Sequence, residues 1–251
     1  MSKEIISVKD LMVAYDDFVL FNNLNFGVNE KDIFIIMGAS GCGKSSLLRV
    51  LTGLVTPLKG DVLINNKDIT KADEHIKNEI IKECGIMYQS GALFSSMTLK
   101  ENVMLPLELY SSYSKKEIEE IASYKLALTG LGGFDDFYPS EISGGMKKRA
   151  ALSRALALDP KIVYCDEPSA GLDPISSKQL DDLIIEINKN LGTTFVVVTH
   201  ELQSIFAIGN NSIFLDKNEK NITGRGNPKE LLKNPPTNEI YEFLTRGQKN
   251  D

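Results

Sequence analysis

The clearest chemistry in this sequence lies in residues 38–45, which read Gly-Ala-Ser-Gly-Cys-Gly-Lys-Ser. This segment directly follows the apolar run 33–37 and precedes a segment, 45–51, with the composition of a helix. Glycines at this spacing let backbone N–H groups turn toward phosphate oxygens, and the start of the next helix adds the positive end of its dipole. In such a loop Lys44 reaches the β- and γ-phosphates and the Ser45 hydroxyl holds Mg²⁺. The pattern therefore predicts a nucleoside triphosphate site, with a chance glycine turn as the alternative.

Two acids follow a second apolar run in the chain. Residues 162–165 are apolar, and Asp166 and Glu167 come directly after them. Because ligands bind outside the carboxyl ends of strands in α/β sheets, acids at this point are placed for chemistry. Asp166 suits the outer shell of Mg²⁺, and Glu167 suits polarisation of an attacking water. The alternative is that both acids simply begin an exposed turn before Pro168.

A third candidate site is Ser143-Gly144-Gly145, at the predicted start of a helix. A hydroxyl and exposed backbone N–H groups at a helix start suit an anion, although a plain loop-to-helix turn is the alternative. His200 follows the apolar run 195–198 and is also a candidate site residue, with a capping role as the alternative.

Composition bounds the class of protein. The 251 residues are enough for one sizeable core and indicate a single α/β domain with a smaller insert. A net charge of −6 argues against a broad nucleic-acid-binding surface, and the short basic run 147–149 is interpreted as a solvated helix face. No apolar stretch approaches the roughly 20 residues of a membrane helix, and the N-terminus lacks a signal-peptide core, so we expect a chain that is neither secreted nor membrane-spanning by itself. Three scattered cysteines predict reduced thiols and no disulfide framework or zinc site.

Hydrophobic patterns predict strands and helices in alternation around these segments. Short antiparallel strands are expected within 5–30. Further strands are expected over 33–37, 60–66, 86–88, 162–165, 195–198 and 213–222. Helices are expected over 73–83, 115–128, 147–158, 178–190 and 238–245, with a mostly helical stretch from 98 to 158.

Taken in order, the motifs resemble those of an ABC transporter ATP-binding domain. They are the phosphate loop, Tyr88-Gln89-Ser90, Ser143-Gly144-Gly145, Asp166-Glu167, the segment 169–173 and Thr199-His200. The resemblance implies an α/β fold spanning 5–225: a P-loop NTPase core of RecA-like type, a small antiparallel β subdomain, and a helical subdomain at about 90–158. It also implies a head-to-tail homodimer, in which ATP lies between the phosphate loop of one copy and the Ser-Gly-Gly segment of the other.

The same resemblance assigns roles to single residues. Tyr15 is similar to the aromatic residue that stacks on adenine, with a tyrosine packed at a sheet edge as the alternative. Gln89 resembles the glutamine that contacts Mg²⁺ and water and senses the membrane partner, and it would hold the metal together with Ser45 and Asp166. Glu167 resembles the catalytic base, and His200 resembles the histidine that keeps the γ-phosphate and water in line. Contacts to ATP are implied for Gly38, Ser40, Gly41, Cys42, Gly43, Lys44, Ser45 and Ser46, and from the opposite copy for Ser143, Gly144 and Gly145.

Two residues depart from the commonest family pattern. Ile142 replaces a leucine, and Met146 replaces a glutamine, which removes one polar group at the nucleotide interface. Segments 143–160, 89–107 and 173–175 are similar to the ATPases of bacterial MCE-type lipid transporters, which include the Mla phospholipid system.

This narrower resemblance implies a cytoplasmic ATPase that is held at the inner membrane only by an integral permease. A membrane-anchored MCE-domain protein would hold lipid, and ATP hydrolysis would drive lipid between the inner and outer membranes. We expect residues 92–107 to form part of the permease surface, marked by Phe94, Met97 and Met104, with ordinary subdomain core as the alternative. The tail, 226–251, is expected either to contact the second subunit or to be flexible.

Three other functions compete with this interpretation. The first is an ABC ATPase for another cargo, such as lipoprotein release or small-molecule import. The second is a non-transport ABC ATPase acting on ribosomes or DNA, a class that usually carries tandem domains or a long coiled-coil insertion. The third is a non-catalytic subunit, which would be expected to lack Lys44 or Glu167, and both are present.

Overall fold

The computed structural model describes residues 3–16 and 18–247, which divide into two compact units. The first unit is built from the chain up to Ile80 and from Thr194 onward, and the second unit spans Ile81–Thr193. The strands are β1 (Glu4–Tyr15), β2 (Phe18–Asn29), β3 (Ile33–Gly38), β4 (Lys59–Ile64), β5 (Lys67–Asp68), β6 (Cys84–Met87), β7 (Ile162–Asp166), β8 (Thr194–Val198), β9 (Asn211–Asp216) and β10 (Asn221–Arg225). The helices are α1 (Lys44–Leu51), α2 (Glu74–Lys82), α3 (Leu99–Tyr110), α4 (Lys115–Leu128), α5 (Gly144–Ala155), α6 (Pro174–Leu191), α7 (Leu202–Ile208), α8 (Pro228–Lys233) and α9 (Asn238–Thr245), with a 3₁₀ turn at Pro139–Glu141.

The centre of the first unit is a buried group of parallel strands. β3 pairs in parallel with β8 on one side, with Ile36 opposite Val198, and with β9 on the other, with Ile36 opposite Ile213. β10 pairs with β9 in antiparallel orientation, on the side of β9 away from β3. Every residue of β3 and β8 is buried, which explains why both appear in the sequence as unbroken apolar runs. The chain segments that follow β3 and β8 therefore leave the sheet at the same edge.

The first unit also carries an antiparallel sheet in the order β2-β1-β4-β5. The sequence predicts short strands here, whereas β1 and β2 each run for 12 residues. Asp10 and Asn23 lie inside these strands with left-handed φ values of 48° and 59°. The register of the pair shifts between Val8 and Leu11, so Asp10 marks a β-bulge that the hairpin absorbs without ending.

The second unit combines a parallel strand pair with packed helices. β6 and β7 run in parallel, with Met87 opposite Cys165. Helices α3, α4 and α5 bury one apolar cluster, whose members include Leu99, Val103, Leu126 and Ala150. These helices fall within the predicted helical subdomain at 90–158.

Side-chain caps set the boundaries of the helices in the second unit. α3 and α4 each begin with a capping box, Thr98 with Glu101 and Ser114 with Glu117, and α4 matches the prediction at 115–128. The helix predicted at 147–158 begins three residues earlier, at Gly144, because the Ser143 hydroxyl accepts a hydrogen bond from the Met146 N–H.

The tail forms part of the first unit as far as residue 247. The helix predicted at 238–245 is confirmed as α9, and its Ile240 and Leu244 side chains are buried. The ring of Phe243 meets the ring of Phe214, on β9, edge to face at 5.2 Å. Packing against the chain's own β9 and β10 thus orders this helix without a second subunit, so a flexible tail is wrong for 226–247. Residues 248–251 lie outside the described part of the chain.

Ile240→Ala tests whether α9 belongs to the core. The side chain is 0% exposed, so its loss is expected to lower the free energy of unfolding by about 2–5 kcal/mol, against about 0.5–1.5 kcal/mol for Ile240→Val. Urea denaturation of both variants and the parent measures the difference. Equal stability of the Ala variant and the parent would contradict the packing of α9.

None of the helices within the described ranges is both long enough and apolar enough to cross a membrane.

Candidate nucleotide site

The phosphate loop connects β3 to α1 in a conformation that requires glycine. Gly43 caps α1 with φ of 95°, in the left-handed region that residues with a Cβ rarely adopt. Gly38 ends β3 where the backbone of β9 passes close by, because a Cβ at Gly38 would lie 2.5 Å from the carbonyl oxygen of Leu215. The strand, loop and helix predicted from the sequence are all present.

Lys44 is the buried cation of this loop. Its side chain is 9% exposed, and the Nζ atom donates hydrogen bonds to the carbonyl oxygens of Gly38 at 2.8 Å and Ala39 at 3.1 Å. The loop's own carbonyl groups therefore fix the ammonium at the start of α1. Since an ammonium carries three N–H donors, it can keep these contacts and still meet an anion.

Side chains around Lys44 divide into exposed hydroxyls and a buried thiol. Ser40 and Ser45 are exposed and Ser46 is half-buried, so the loop and the first turn of α1 carry hydroxyl groups near the surface. Cys42 is 1% exposed, burial raises the pKa of its thiol, and its N–H donates to the Ala39 carbonyl at 3.2 Å. A role for Cys42 toward ATP through its side chain is therefore not supported by its position.

His200 lies at the same edge of the sheet as the phosphate loop. It follows the end of β8 by two residues, and β8 is the parallel neighbour of β3. The side chain is 58% exposed, with Nε2 3.9 Å from the Glu201 carboxylate. The Glu201 N–H donates to the Thr199 hydroxyl at 3.1 Å, which turns the chain sharply after the strand. The sequence expectation that a buried strand delivers this histidine is confirmed.

Tyr15 ends β1 at the tip of the long hairpin. The residue is 42% exposed, and it pairs with β2 alone, because the pairing of β1 with β4 ends at Met12. Phe18 lies directly opposite and is 59% exposed, with the Lys220 ammonium 5.3 Å from the ring centre. The sequence interpretation missed Phe18, although an aromatic residue three positions after Tyr15 across a turn was the available signal. Stacking on adenine stays a prediction for Tyr15.

In the second unit, Gln89 and the two acids lie at the carboxyl ends of the parallel pair β6 and β7. Gln89 follows β6, while Asp166 and Glu167 follow or end its parallel neighbour β7. Gln89 is exposed, Asp166 is half-buried and Glu167 is 8% exposed. Glu167 has φ of 47°, a left-handed conformation that costs energy for a residue other than glycine and is frequent at functional sites.

Lys148 is a further residue of this edge that the sequence interpretation missed. The basic run 147–149 was expected on a solvated face, but Lys148 is 6% exposed. Its Nζ donates to the carbonyl oxygen of Gln89 and lies 3.5 Å from that of Glu167. Burial lowers the pKa of the ammonium, and the nearby Glu167 charge opposes that shift. Three successive residues span about 200° around a helix, so a helix that packs on one side tends to turn one of them inward, and this was the available signal.

The Ser143-Gly144-Gly145 segment presents an exposed helix start. Ser143 and Gly144 are exposed, Gly145 is half-buried, and the Ser143 hydroxyl caps α5. The Met146 side chain packs against the apolar cluster of the helices, which gives a physical reason for an apolar residue at this position.

An apolar groove of about 400 Å³ opens beside Gln89 within the second unit. Its lining comes from β6, the loop after it, α3 and α5, and includes Tyr88, Phe94, Pro106, Leu109 and Arg154. Of the three residues expected at a partner surface, Phe94 is 50% exposed in the groove, and Met97 is half-buried. Met104 is 7% exposed and belongs to the apolar cluster, so for this residue the alternative of subdomain core is confirmed.

Comparison with known proteins identifies the family of this site. Residues 21–170 match the family model for ABC transporters. The chain is 36% identical to the probable ribonucleotide transport ATP-binding protein mkl of Mycobacterium leprae, over 95% of this chain and 68% of that protein. It is 36% identical to the intermembrane phospholipid transport system ATP-binding protein MlaF of Haemophilus influenzae, over 97% of this chain and 91% of that protein.

Other relatives carry the names of other cargos. The glycine betaine transport ATP-binding protein OpuAA of Bacillus subtilis is 35% identical over 94% of this chain and 56% of its own length. Among solved structures, the ATP-binding cassette MJ0796, a dimer in a post-hydrolysis state bound to ADP and Pi, is similar with a TM-score of 0.80 and 29% identity. That likeness covers 88% of this chain and 98% of the cassette.

Proposed function

This chain belongs to the ABC transporter family as an ATP-binding and ATP-hydrolysing subunit, and we propose that it powers phospholipid transport between the inner and outer membranes through a separate permease. One observation carries the choice of cargo: the likeness to MlaF extends over 97% of this chain and 91% of that protein. The likeness to the glycine betaine ATPase reaches only 56% of that protein, so import of a small molecule is the second candidate.

Two copies of the chain are proposed to share each ATP. The phosphate loop and Lys44 of one copy hold the phosphates, and the exposed start of α5, at Ser143 and Gly144, meets the γ-phosphate from the other copy. The first element carries a fixed ammonium, and the second carries a helix start, where the first backbone N–H groups have no acceptor within the helix. The ATP-binding domain is proposed to span 5–225.

Glu167 is proposed as the base that draws a proton from the attacking water, and His200 as the group that orients water and γ-phosphate. Each follows the carboxyl end of a buried parallel strand, Glu167 directly after β7 and His200 two residues after β8. Positioning and charge stabilisation supply most of the rate in phosphoryl transfer, so rigid delivery of these side chains is what the fold contributes.

Residues for Mg²⁺ are proposed as Ser45, Gln89 and Asp166. They offer a hydroxyl, an amide oxygen and a carboxylate, the oxygen ligands this ion prefers, and each is exposed or half-buried. When bound, the ion would neutralise charge on the phosphate oxygens.

The apolar groove is proposed as the place where the permease docks. Phe94 and Leu109 are 50% and 65% exposed there, a large apolar surface to leave in water. The groove includes Tyr88, next to Gln89, so a docked partner would touch the loop that carries a proposed catalytic residue. The chain would then act at the cytoplasmic face of the inner membrane, held by its permease, with an MCE-domain protein as a further partner.

Capture of the tagged chain from membranes, followed by mass analysis of bound proteins and lipids, tests this function. We expect an integral permease, an MCE-domain protein and phospholipid from the parent chain, and loss of all three when Phe94→Asp and Leu109→Asp are combined. Tyr124→Asp is the matched control, because Tyr124 is 59% exposed on α4 and lies outside the groove lining. A captured permease for amino acids or glycine betaine would contradict the lipid cargo, and full capture by the double variant would contradict docking in the groove.

A further inference from the structure

Helix α5 holds the loop after β6 by two basic side chains. Near its N-terminal end, Lys148 donates from Nζ to the carbonyl oxygen of Gln89. Near its C-terminal end, the Arg154 guanidinium donates to the carbonyl oxygens of Ala92 at 2.6 Å and Gly91 at 2.9 Å. The first part of this loop, residues 89–92, is therefore tied to α5 by side chains from two turns of that helix.

Lys148 also reaches toward the second catalytic element. Its Nζ lies 3.5 Å from the carbonyl oxygen of Glu167, a long contact compared with the one to Gln89. Both acceptors are backbone atoms, so the ammonium acts on the course of the chain and leaves the two side chains available for chemistry. A single buried cation thus bridges the backbones of Gln89 and Glu167.

Stability alone gives a poor reason for a lysine at this position. Lys148 is 6% exposed, and removing a cation from water costs several kcal/mol that hydrogen bonds to neutral carbonyls repay only in part. A methionine of similar length could fill the same space without that cost, but it would remove the positive charge near the buried Glu167 carboxylate and both contacts to backbone carbonyls. The lysine is therefore better explained by what its two hydrogen-bond acceptors must do.

We propose that Lys148 is a positioning residue for ATP hydrolysis, which fixes the backbones of Gln89 and Glu167 relative to each other. The proposal rests on the roles proposed above for those two residues. Glu167 has a left-handed φ of 47°, so its backbone needs outside support to stay in place. The Lys148 ammonium, 3.5 Å from the Glu167 carbonyl oxygen, supplies that support.

The same contact links the groove to hydrolysis. Arg154, Ala92 and Tyr88 line the groove, and Gln89 follows Tyr88 directly in the chain. A partner that presses on this loop moves the carbonyl that Lys148 holds, and Lys148 in turn contacts the backbone of Glu167. Loss of the ammonium should therefore lower both the basal rate and the response to a docked permease.

The test compares Lys148→Met, Lys148→Gln and Lys148→Arg with the matched control Lys147→Met, using the ATPase activity of the purified full chain. We expect Lys148→Met to lower kcat by about 10- to 100-fold, the cost of misplacing catalytic groups by about an ångström, with KM for ATP unchanged. Lys148→Gln should fall between Lys148→Met and the parent, and Lys148→Arg should recover most of the loss because it restores a cationic donor. Lys147→Met, on the half-buried neighbour, should match the parent.

Thermal unfolding of each variant separates positioning from folding. A merely structural lysine would lower kcat only in proportion to lost folded protein, and Lys148→Arg would then restore Tm and kcat together. A parent-like kcat in folded Lys148→Met or Lys148→Gln overturns the proposal, and so does an effect confined to KM. These assays use no permease or lipid, so their outcome does not depend on whether the proposed phospholipid cargo is correct. A negative result for Lys148 likewise does not affect the capture experiment.

Discussion

Glu167→Gln is expected to lower the kcat of ATP hydrolysis by about 100-fold or more, the usual contribution of a general base, while ATP still binds. The amide has nearly the shape of the carboxylate but accepts no proton from water. Glu167 is 8% exposed and its backbone is fixed at the end of β7, so the substituted side chain keeps its place. The loss should therefore fall on the chemical step.

Steady-state ATPase assays and binding of a fluorescent ATP analogue measure the two parts of this prediction. Glu186→Gln is the matched control, since Glu186 is an exposed carboxylate on α6 in the same unit. The control should hydrolyse ATP like the parent. Near-normal turnover by Glu167→Gln would show that another group activates the water.

Ser143→Arg is expected to abolish ATPase activity without weakening the binding of ATP to a single copy. Ser143 is exposed and caps α5, so a large cation there covers the helix start that is proposed to receive the γ-phosphate of the other copy. The substitution changes no residue of the phosphate loop. We expect kcat to fall by about 100-fold or more, as when a catalytic hydrogen-bond donor is removed.

The control for this change is Ser140→Arg, three residues earlier on the exposed 3₁₀ turn. It introduces the same charge into the same region and should leave kcat and ATP affinity at parent values. If Ser143→Arg weakened ATP binding to the isolated chain, Ser143 would instead serve the site of its own copy.

Much of the site could be predicted because its chemistry is local in sequence. The phosphate loop needs glycines, a lysine and a hydroxyl within eight positions, and β3 and α1 flank it as expected. Asp166 and Glu167 follow a fully buried strand, which makes an apolar run ending in two acids. The order of the strands in the sheet could not be predicted from the sequence. The parallel pairing of β3 with β8 places His200 at the same sheet edge as the phosphate loop.

The features that sequence reasoning missed depend on contacts between distant segments. Lys148 looks like a solvated lysine until α5 packs against β6 and the loop after it, 59 residues earlier in the chain. The length of β1 and β2 was also missed, because their pairing continues through the bulge at Asp10. In both cases contacts with a distant segment, which local composition does not show, decide the outcome.

The most direct test of the shared site is the oligomeric state of hydrolysis-deficient chains in ATP, measured by size-exclusion chromatography with light scattering. The account predicts that Glu167→Gln forms a dimer in ATP with one ATP bound per chain, and a monomer without nucleotide. Adding Ser143→Arg to Glu167→Gln should leave a monomer that still binds ATP with unchanged affinity. An ATP-dependent dimer from the double variant, or a monomer from Glu167→Gln at saturating ATP, would contradict a site completed by a second copy.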